Sequence, residues 1–230
     1  MSLTILDNIV WHSLAGPHIG FTSGTYTARR YVAGFSPIIG FADSTTPDFA
    51  ALETCCESAT HFYCGGWSGV APPGWQIVDD AAGHQMLWDA PAPEMEAGFT
   101  AIRLGPQRVP QMLALAAAAE LPLFGPRSIE LGEYIGVFEE GGLVAMAGER
   151  MTAGSYREVS AVCTHPAFRG RGYARRLVAE LVRRQLHRTE AQLPLACVLE
   201  GGSWAAGREL ALRLRGGLPP LQVASDGTVF

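Results

Sequence analysis

No Cys-x-x-Cys pair occurs in this 230-residue chain, and its five cysteines (Cys55, Cys56, Cys64, Cys163 and Cys197) are odd in number. A disulfide framework is therefore not expected, and reduced thiols in a cytoplasmic protein are the simpler reading. None of the six histidines stands at ligand spacing from a cysteine or carboxylate, so no metal site is expected. An apolar run long enough to cross a bilayer is also missing. The longest, residues 112–124, is broken by Glu120 and Pro122, which leaves no membrane association to expect. Asp7, Asn8 and His12 interrupt the early apolar stretch a secretion signal would need, so the cytoplasm is the expected location. Positive charge is in deficit: 17 Lys and Arg against 22 Asp and Glu give a net charge of −5. Bulk electrostatic attraction to nucleic acid is thereby disfavoured.

What is present is an ordinary globular composition, 48% hydrophobic and 17% charged, with length for one large domain or two small ones. The part up to Trp88 is rich in Gly, Pro, Ser and Thr. Its short apolar segments at 38–41, 60–63, 75–78 and 85–88 read as strands between turns, with one helix at 48–58. Asp89-Ala-Pro-Ala-Pro-Glu94 reads as a linker, which divides the chain into a smaller N-terminal α/β subdomain, 1–94, and a second domain, 95–230. In the second domain the pattern predicts strands at 99–104, 134–138, 143–147, 157–164, 195–199 and 221–224. It predicts helices at 106–120, 172–188 and 204–214. Glu139-Glu-Gly-Gly142 is a hairpin signal between two of those strands. The order is that of a mixed, mostly antiparallel sheet flanked by helices, an α/β (α+β) architecture. Gly24-Thr-Tyr-Thr-Ala-Arg-Arg30 echoes Gly172-Tyr-Ala-Arg-Arg176, but it lacks a glycine loop and a preceding apolar strand, and no internal repeat is read from it.

The chemistry concentrates between Glu158 and Val178. A strand runs into His165-Pro-Ala-Phe-Arg-Gly-Arg171, and Gly172 opens a helix with Leu177, Val178, Leu181 and Val182 on its apolar face. Unpaired amides and the macrodipole at a helix N-terminus attract anions. Gly170 and Gly172 let the backbone approach a ligand, and Arg169 and Arg171 add cationic donors. The segment is suited to a phosphate group. It lacks the Gly-Lys-Ser/Thr ending of a nucleotide-triphosphate loop. It also lacks the third glycine of the dinucleotide fingerprint; its pattern is Arg169-x-x-Gly172-x-Ala174.

This segment resembles the acetyl-CoA-binding motif of the GNAT superfamily of N-acetyltransferases, Gln/Arg-x-x-Gly-x-Gly/Ala. Its flanks, with Gly-Gly-Leu-Val-Ala-Met-Ala-Gly-Glu-Arg at 141–150 and Leu-Asp-Asn-Ile-Val-Trp-His at 6–12, resemble a bacterial subgroup with an additional N-terminal half. That half would be a degenerate GNAT-like unit. The resemblance implies that the strand splays near Val162, Cys163 and Thr164 to pair with the pantetheine arm. It implies that amides of Gly170, Arg171, Gly172, Tyr173 and Ala174 hold the diphosphate, with Arg169 and Arg171 flanking it. Acetyl-CoA would be the cosubstrate and a small-molecule primary amine or an amino acid the acceptor, attacked directly in a ternary complex. Glu158, at the start of the central strand, is the first candidate base, and Glu149 the second. The sequence departs from the superfamily near its end: Ala211 stands where its proton-donating tyrosine is expected.

That departure motivates an alternative, a non-catalytic acyl-CoA sensor. A third reading, an RNA-binding module using the Arg-Gly-Arg-Gly loop, is disfavoured by the net charge. Arg175, Arg176, Arg183, Arg184 and Arg188 read as a solvated helix face. Cys163 lacks a positioned base and reads as inert. A homodimer is the assembly left open.

Overall fold

The computed structural model describes residues 4–188 apart from 57–60, 66, 68, 82–83, 89, 95 and 122, together with 195–199, 212–214 and 221–224. In chain order the elements begin with α1 (Thr4–Asp7), α2 (Ile9–Leu14), β1 (Thr22–Gly24), β2 (Ala28–Tyr31), β3 (Ile38–Phe41), α3 (Phe49–Glu53) and β4 (Phe62–Cys64). They continue with β5 (Ile77–Ala81), β6 (His84–Trp88), β7 (Ile102–Arg103), α4 (Val109–Ala118), β8 (Tyr134–Glu139), β9 (Gly142–Ala153) and β10 (Tyr156–Thr164). The last are α5 (Tyr173–Arg188), β11 (Leu195–Leu199), β12 (Leu212–Leu214) and β13 (Leu221–Ala224). The chain forms two compact units, one of Met1–His84, Thr152–Gly154 and Gly216–Phe230, the other of Gln85–Met151 and Ser155–Arg215.

The first unit is built on a six-stranded sheet ordered β1-β2-β3-β4-β13-β5. Its helices are short and capped locally: Asn8 accepts from the Trp11 N–H at the start of α2, and Asp48 from the Ala51 N–H at the start of α3. Phe41, Phe49, Leu52, Phe62 and Trp67 form its apolar core. A second, polar cluster is sealed nearby. His18 Nδ1 lies 3.1 Å from Ser13 Oγ and 2.7 Å from Tyr31 OH, all three side chains buried. Gly24–Arg30, the apparent echo of the phosphate-type segment, is a β1–β2 turn and not a strand-to-helix loop.

The second unit carries a seven-stranded sheet which, from the far edge, runs β7-β8-β9-β10-β11-β6-β12. Helices cover both faces. On one, Leu177, Val178, Leu181 and Val182 of α5 pack on Ile135, Ala145, Ala147 and Val159. On the other, Met112, Leu115 and Ala116 of α4 pack with Tyr134, Leu143, Met146 and Cys163. The i, i+4 pattern of α5 thus lies against the sheet as its spacing requires.

The two sheets share one wiring. In each, three neighbouring strands (β1-β2-β3, β8-β9-β10) are followed by a helix (α3, α5) that crosses to a parallel strand (β4, β11). Next to it lies a strand from the other half of the chain: β13 in the first sheet, β6 in the second. One expectation is corrected. The helix read at 204–214 ends in a strand, because Leu212–Leu214 pairs antiparallel with β6. The rest of that segment, with Ala211, lies outside the described residues.

Candidate functional site

β10 is not a regular strand. Ala161 has φ +52, a left-handed conformation that costs an alanine roughly 1–2 kcal/mol. Its effect shows in the side-chain alternation. Val159 and Val162, three apart, both meet the α5 face, while Ala161 and Cys163 meet the α4 face. An odd step between residues on one face is the mark of a bulge. The register with parallel β11 is fixed at Val159 opposite Cys197, on the near side of that bulge. A second irregularity lies alongside. Between β8 and β9 the register shifts at Val137/Phe138, leaving Val144 extra, and the Val144 carbonyl accepts from the His165 N–H at 2.8 Å. The strand end that delivers the chain to its loop is thereby tied to β9.

Past Thr164 the loop is organised by its own side chains. His165 Nδ1 accepts from the Ala167 N–H at 3.3 Å and caps a 3-10 turn, Pro166–Phe168, whose first position suits proline. Gly170 and Gly172 then take φ +79 and +75. A side chain at Gly170 would meet nothing within 4 Å, so that place is open to solvent. Arg169, Gly170, Arg171 and Gly172 are exposed, and Tyr173 and Ala174 open α5 partly buried. Arg176 reaches back to the loop's carbonyls, donating to Gly172 O at 3.4 Å and to Arg171 O. As at any helix start, the amides of Tyr173 and Ala174 have no acceptor within the helix. The Arg171 guanidinium lies over the Phe168 ring at 4.8 Å and pairs with Glu139 at 3.0 Å. The Tyr173 hydroxyl also bonds Glu139. Glu96 binds Arg175 at 3.1 Å and lies 3.8 Å from Arg176. A left-handed glycine pair, an open backbone, free amides and arginines fit a diphosphate.

The predicted residues Val162, Cys163, Thr164, Arg169, Gly170, Arg171, Gly172, Tyr173 and Ala174 are thus consecutive parts of one strand end, loop and helix start. Glu158 and Glu149 are elsewhere in the same sheet, each 1% exposed and engaged. Glu158 receives Arg150 through both oxygens, at 2.7 and 3.0 Å, and also the Met151 N–H at 3.2 Å. Glu149 accepts from Gln185 at 2.7 Å, from Arg188 at 2.5 Å and from the Glu133 N–H at 3.0 Å. These contacts give both carboxylates structural work. Burial pushes the Cys163 thiol up to about 12, which leaves it protonated and unreactive at neutral pH. The helix arginines are not simply solvated: Arg183 and Arg184 pair with Glu180, and Arg184 and Arg188 with Glu133. Glu139 and Glu96 are site neighbours that sequence reasoning missed, since contacts across tens of residues carry no local signal; Phe168, within the quoted loop, was given no role.

A family model described as the acetyltransferase (GNAT) family matches residues 109–197, and one for a protein of unknown function (DUF1688) matches 176–230. The chain is 30% identical to a candidate GNAT-family acetyltransferase from Novosphingobium aromaticivorans, with a TM-score of 0.81 over 97% of this chain and 99% of that one. A GCN5-related N-acetyltransferase from Kribbella flavida has the same fold at 16% identity, with a TM-score of 0.62 over 96% and 95% of the two chains. A GCN5-related N-acetyltransferase-like protein from Streptococcus suis also shares it, at 14% identity and a TM-score of 0.62 over 94% and 91%. No curated protein matches the chain. The fold is one that supports acyl-CoA-dependent acetyl transfer, and the chain belongs to the GNAT family of acetyltransferases. Acetyl-CoA is that family's cosubstrate.

Proposed function

We propose that the protein transfers an acetyl group from acetyl-CoA to the primary amine of a small molecule or an amino acid. The observation that carries this reading is the bulge at Ala161, placed nine residues before Gly170, where the left-handed pair Gly170 and Gly172 begins to turn the chain into α5. The bulge frees backbone groups near Val162, Cys163 and Thr164 for the pantetheine arm. The amides from Gly170 to Ala174, with Arg169 and Arg171, take the diphosphate. In the transfer, the amine nitrogen bonds the thioester carbonyl carbon and the carbon–sulfur bond breaks. The nitrogen loses a proton, and the departing thiolate gains one. A backbone N–H beside the bulge would stabilise the developing oxyanion. The reading also takes the protein to work in the cytoplasm, where Cys55, Cys56, Cys64 and Cys163, all free, stay reduced.

One observation favours a second reading, that of an acyl-CoA sensor: both candidate bases are enclosed in ion pairs and hydrogen bonds. The two readings part on a single pair of measurements. Acetyl-CoA is expected to raise the melting temperature under either, and Arg171→Glu to reduce that shift. Release of free CoA thiol with some member of an amine panel supports the enzyme. The same thermal shift with no release on any amine supports the sensor. The chain has no lysine, so acetylation of its own side-chain amines cannot imitate turnover. Absence of any thermal shift would overturn both.

A further inference from the structure

Glu139 ends β8 beside the proposed phosphate loop, a position where a carboxylate opposes anion binding. Its Oε2 accepts from Arg171 Nη1 at 3.0 Å, and its Oε1 accepts from the Tyr173 hydroxyl. The two ion-pair side chains are 32% and 50% exposed, so charge holds the contact, not packing. Glu96 repeats the arrangement one turn further on, against Arg175 and Arg176. Of the arginines at 169, 171, 175 and 176, Arg169 alone has no carboxylate within ion-pair distance among the described residues. Its guanidinium donates to the Thr164 carbonyl instead.

A diphosphate at this loop would compete with Glu139 for the same donors, and like charges at contact distance repel. We infer that Glu139 is an internal stand-in for the phosphate, a latch that occupies Arg171 and Tyr173 in the cofactor-free protein and releases them when the diphosphate enters. The inference rests on the acyl-CoA reading and deepens it. The latch keeps Arg171 stacked on Phe168 and the loop in shape before binding. It also selects by charge. A ligand must bring more negative charge than one carboxylate to displace it, which favours a diphosphate over a singly charged anion.

The test is calorimetry on the full chain and its Glu139→Gln variant, with CoA and with S-acetylpantetheine, which lacks the diphosphate. Removing the competing charge is expected to tighten CoA binding by about tenfold and to leave S-acetylpantetheine unchanged. The gain should shrink as salt is raised. Tyr173→Phe removes one anchor of the latch while keeping the ion pair, and a smaller gain in the same direction is expected. Wild-type binding of CoA combined with unchanged or weaker binding by Glu139→Gln would overturn the latch and leave the acyl-CoA reading standing. No heat from CoA with either protein would remove both.

Discussion

Two residues of β10 set what the site can do. Ala161 holds a left-handed backbone without the side chain or the missing Cβ that would ease it. Glycine there should lose the steric penalty while adding some unfolded-state freedom, so Ala161→Gly is expected to be neutral or to stabilise by up to about 1 kcal/mol. Ala161→Val, β-branched, should cost about 2 kcal/mol. Urea midpoints decide the matter, and a Gly variant clearly weaker than wild type would remove the bulge from the argument. Glu158 is the complementary case. It is buried against Arg150 by two hydrogen bonds, so Glu158→Gln leaves a guanidinium inside the sheet without its counter-charge. The expected loss is about 3 kcal/mol of stability. A general base would behave otherwise: the variant would unfold like wild type and lose turnover alone. Measuring unfolding and thiol release on the same preparation separates the two roles.

Among the elements, α5 was legible because its signals are local. Leu177, Val178, Leu181 and Val182 repeat at helical spacing, and Gly172 with Ala174 marks its start. β3, β11 and β13 also lie at 38–41, 195–199 and 221–224, where apolar runs are bounded by turn residues. The failures have equally physical causes. Leu210, Leu212 and Leu214 recur every second residue, the strand period, and Leu212, Arg213 and Leu214 pair with β6 where a helix was read. β2 was missed because Arg29 and Arg30 occupy its middle, and α2 because six residues held by one Asn8 cap carry little periodicity. The charged face of α5 supports a prediction of its own. Burial pushes the Glu180 carboxyl up, but hydrogen bonds from Arg183 and Arg184 outweigh it and hold the group below its ordinary 4.5. A depressed folded-state value means the contribution is complete above 4.5 and lost as pH falls toward the folded value. Circular dichroism of wild type and Glu180→Gln should therefore show a stability gap at neutral pH that closes in acid. A gap that persists undiminished at pH 3, about 1.5 units below that ordinary value, would contradict the ion-pair account.

The molecule as a whole repeats one wiring in two sheets, yet the equivalent loops carry opposite charge. Between β10 and α5 stand Arg169 and Arg171 with two left-handed glycines. Between β3 and α3 stand Asp43, Ser44, Thr45, Thr46, Pro47 and Asp48. Asp43 is held down to about 2, chiefly by the Thr45 hydroxyl and then that of Thr46, so it stays anionic throughout the physiological range. Asp48 fills the helix start itself: one oxygen caps the Ala51 N–H at 3.1 Å and the other accepts from the Thr27 hydroxyl at 2.8 Å. The first loop has its own carboxylates where the second would receive a phosphate, and α3, five residues long, adds little dipole to draw one in. Common topology therefore does not imply a common ligand. A single acyl-CoA site per chain is the expected stoichiometry in a calorimetric titration. Arg171→Glu should weaken that binding, whereas Asp43→Asn should leave both affinity and stoichiometry unchanged. Two equivalents bound per chain, or binding that survives Arg171→Glu and fails with Asp43→Asn, would move the cofactor to the first sheet and undo the assignment of β10 and α5.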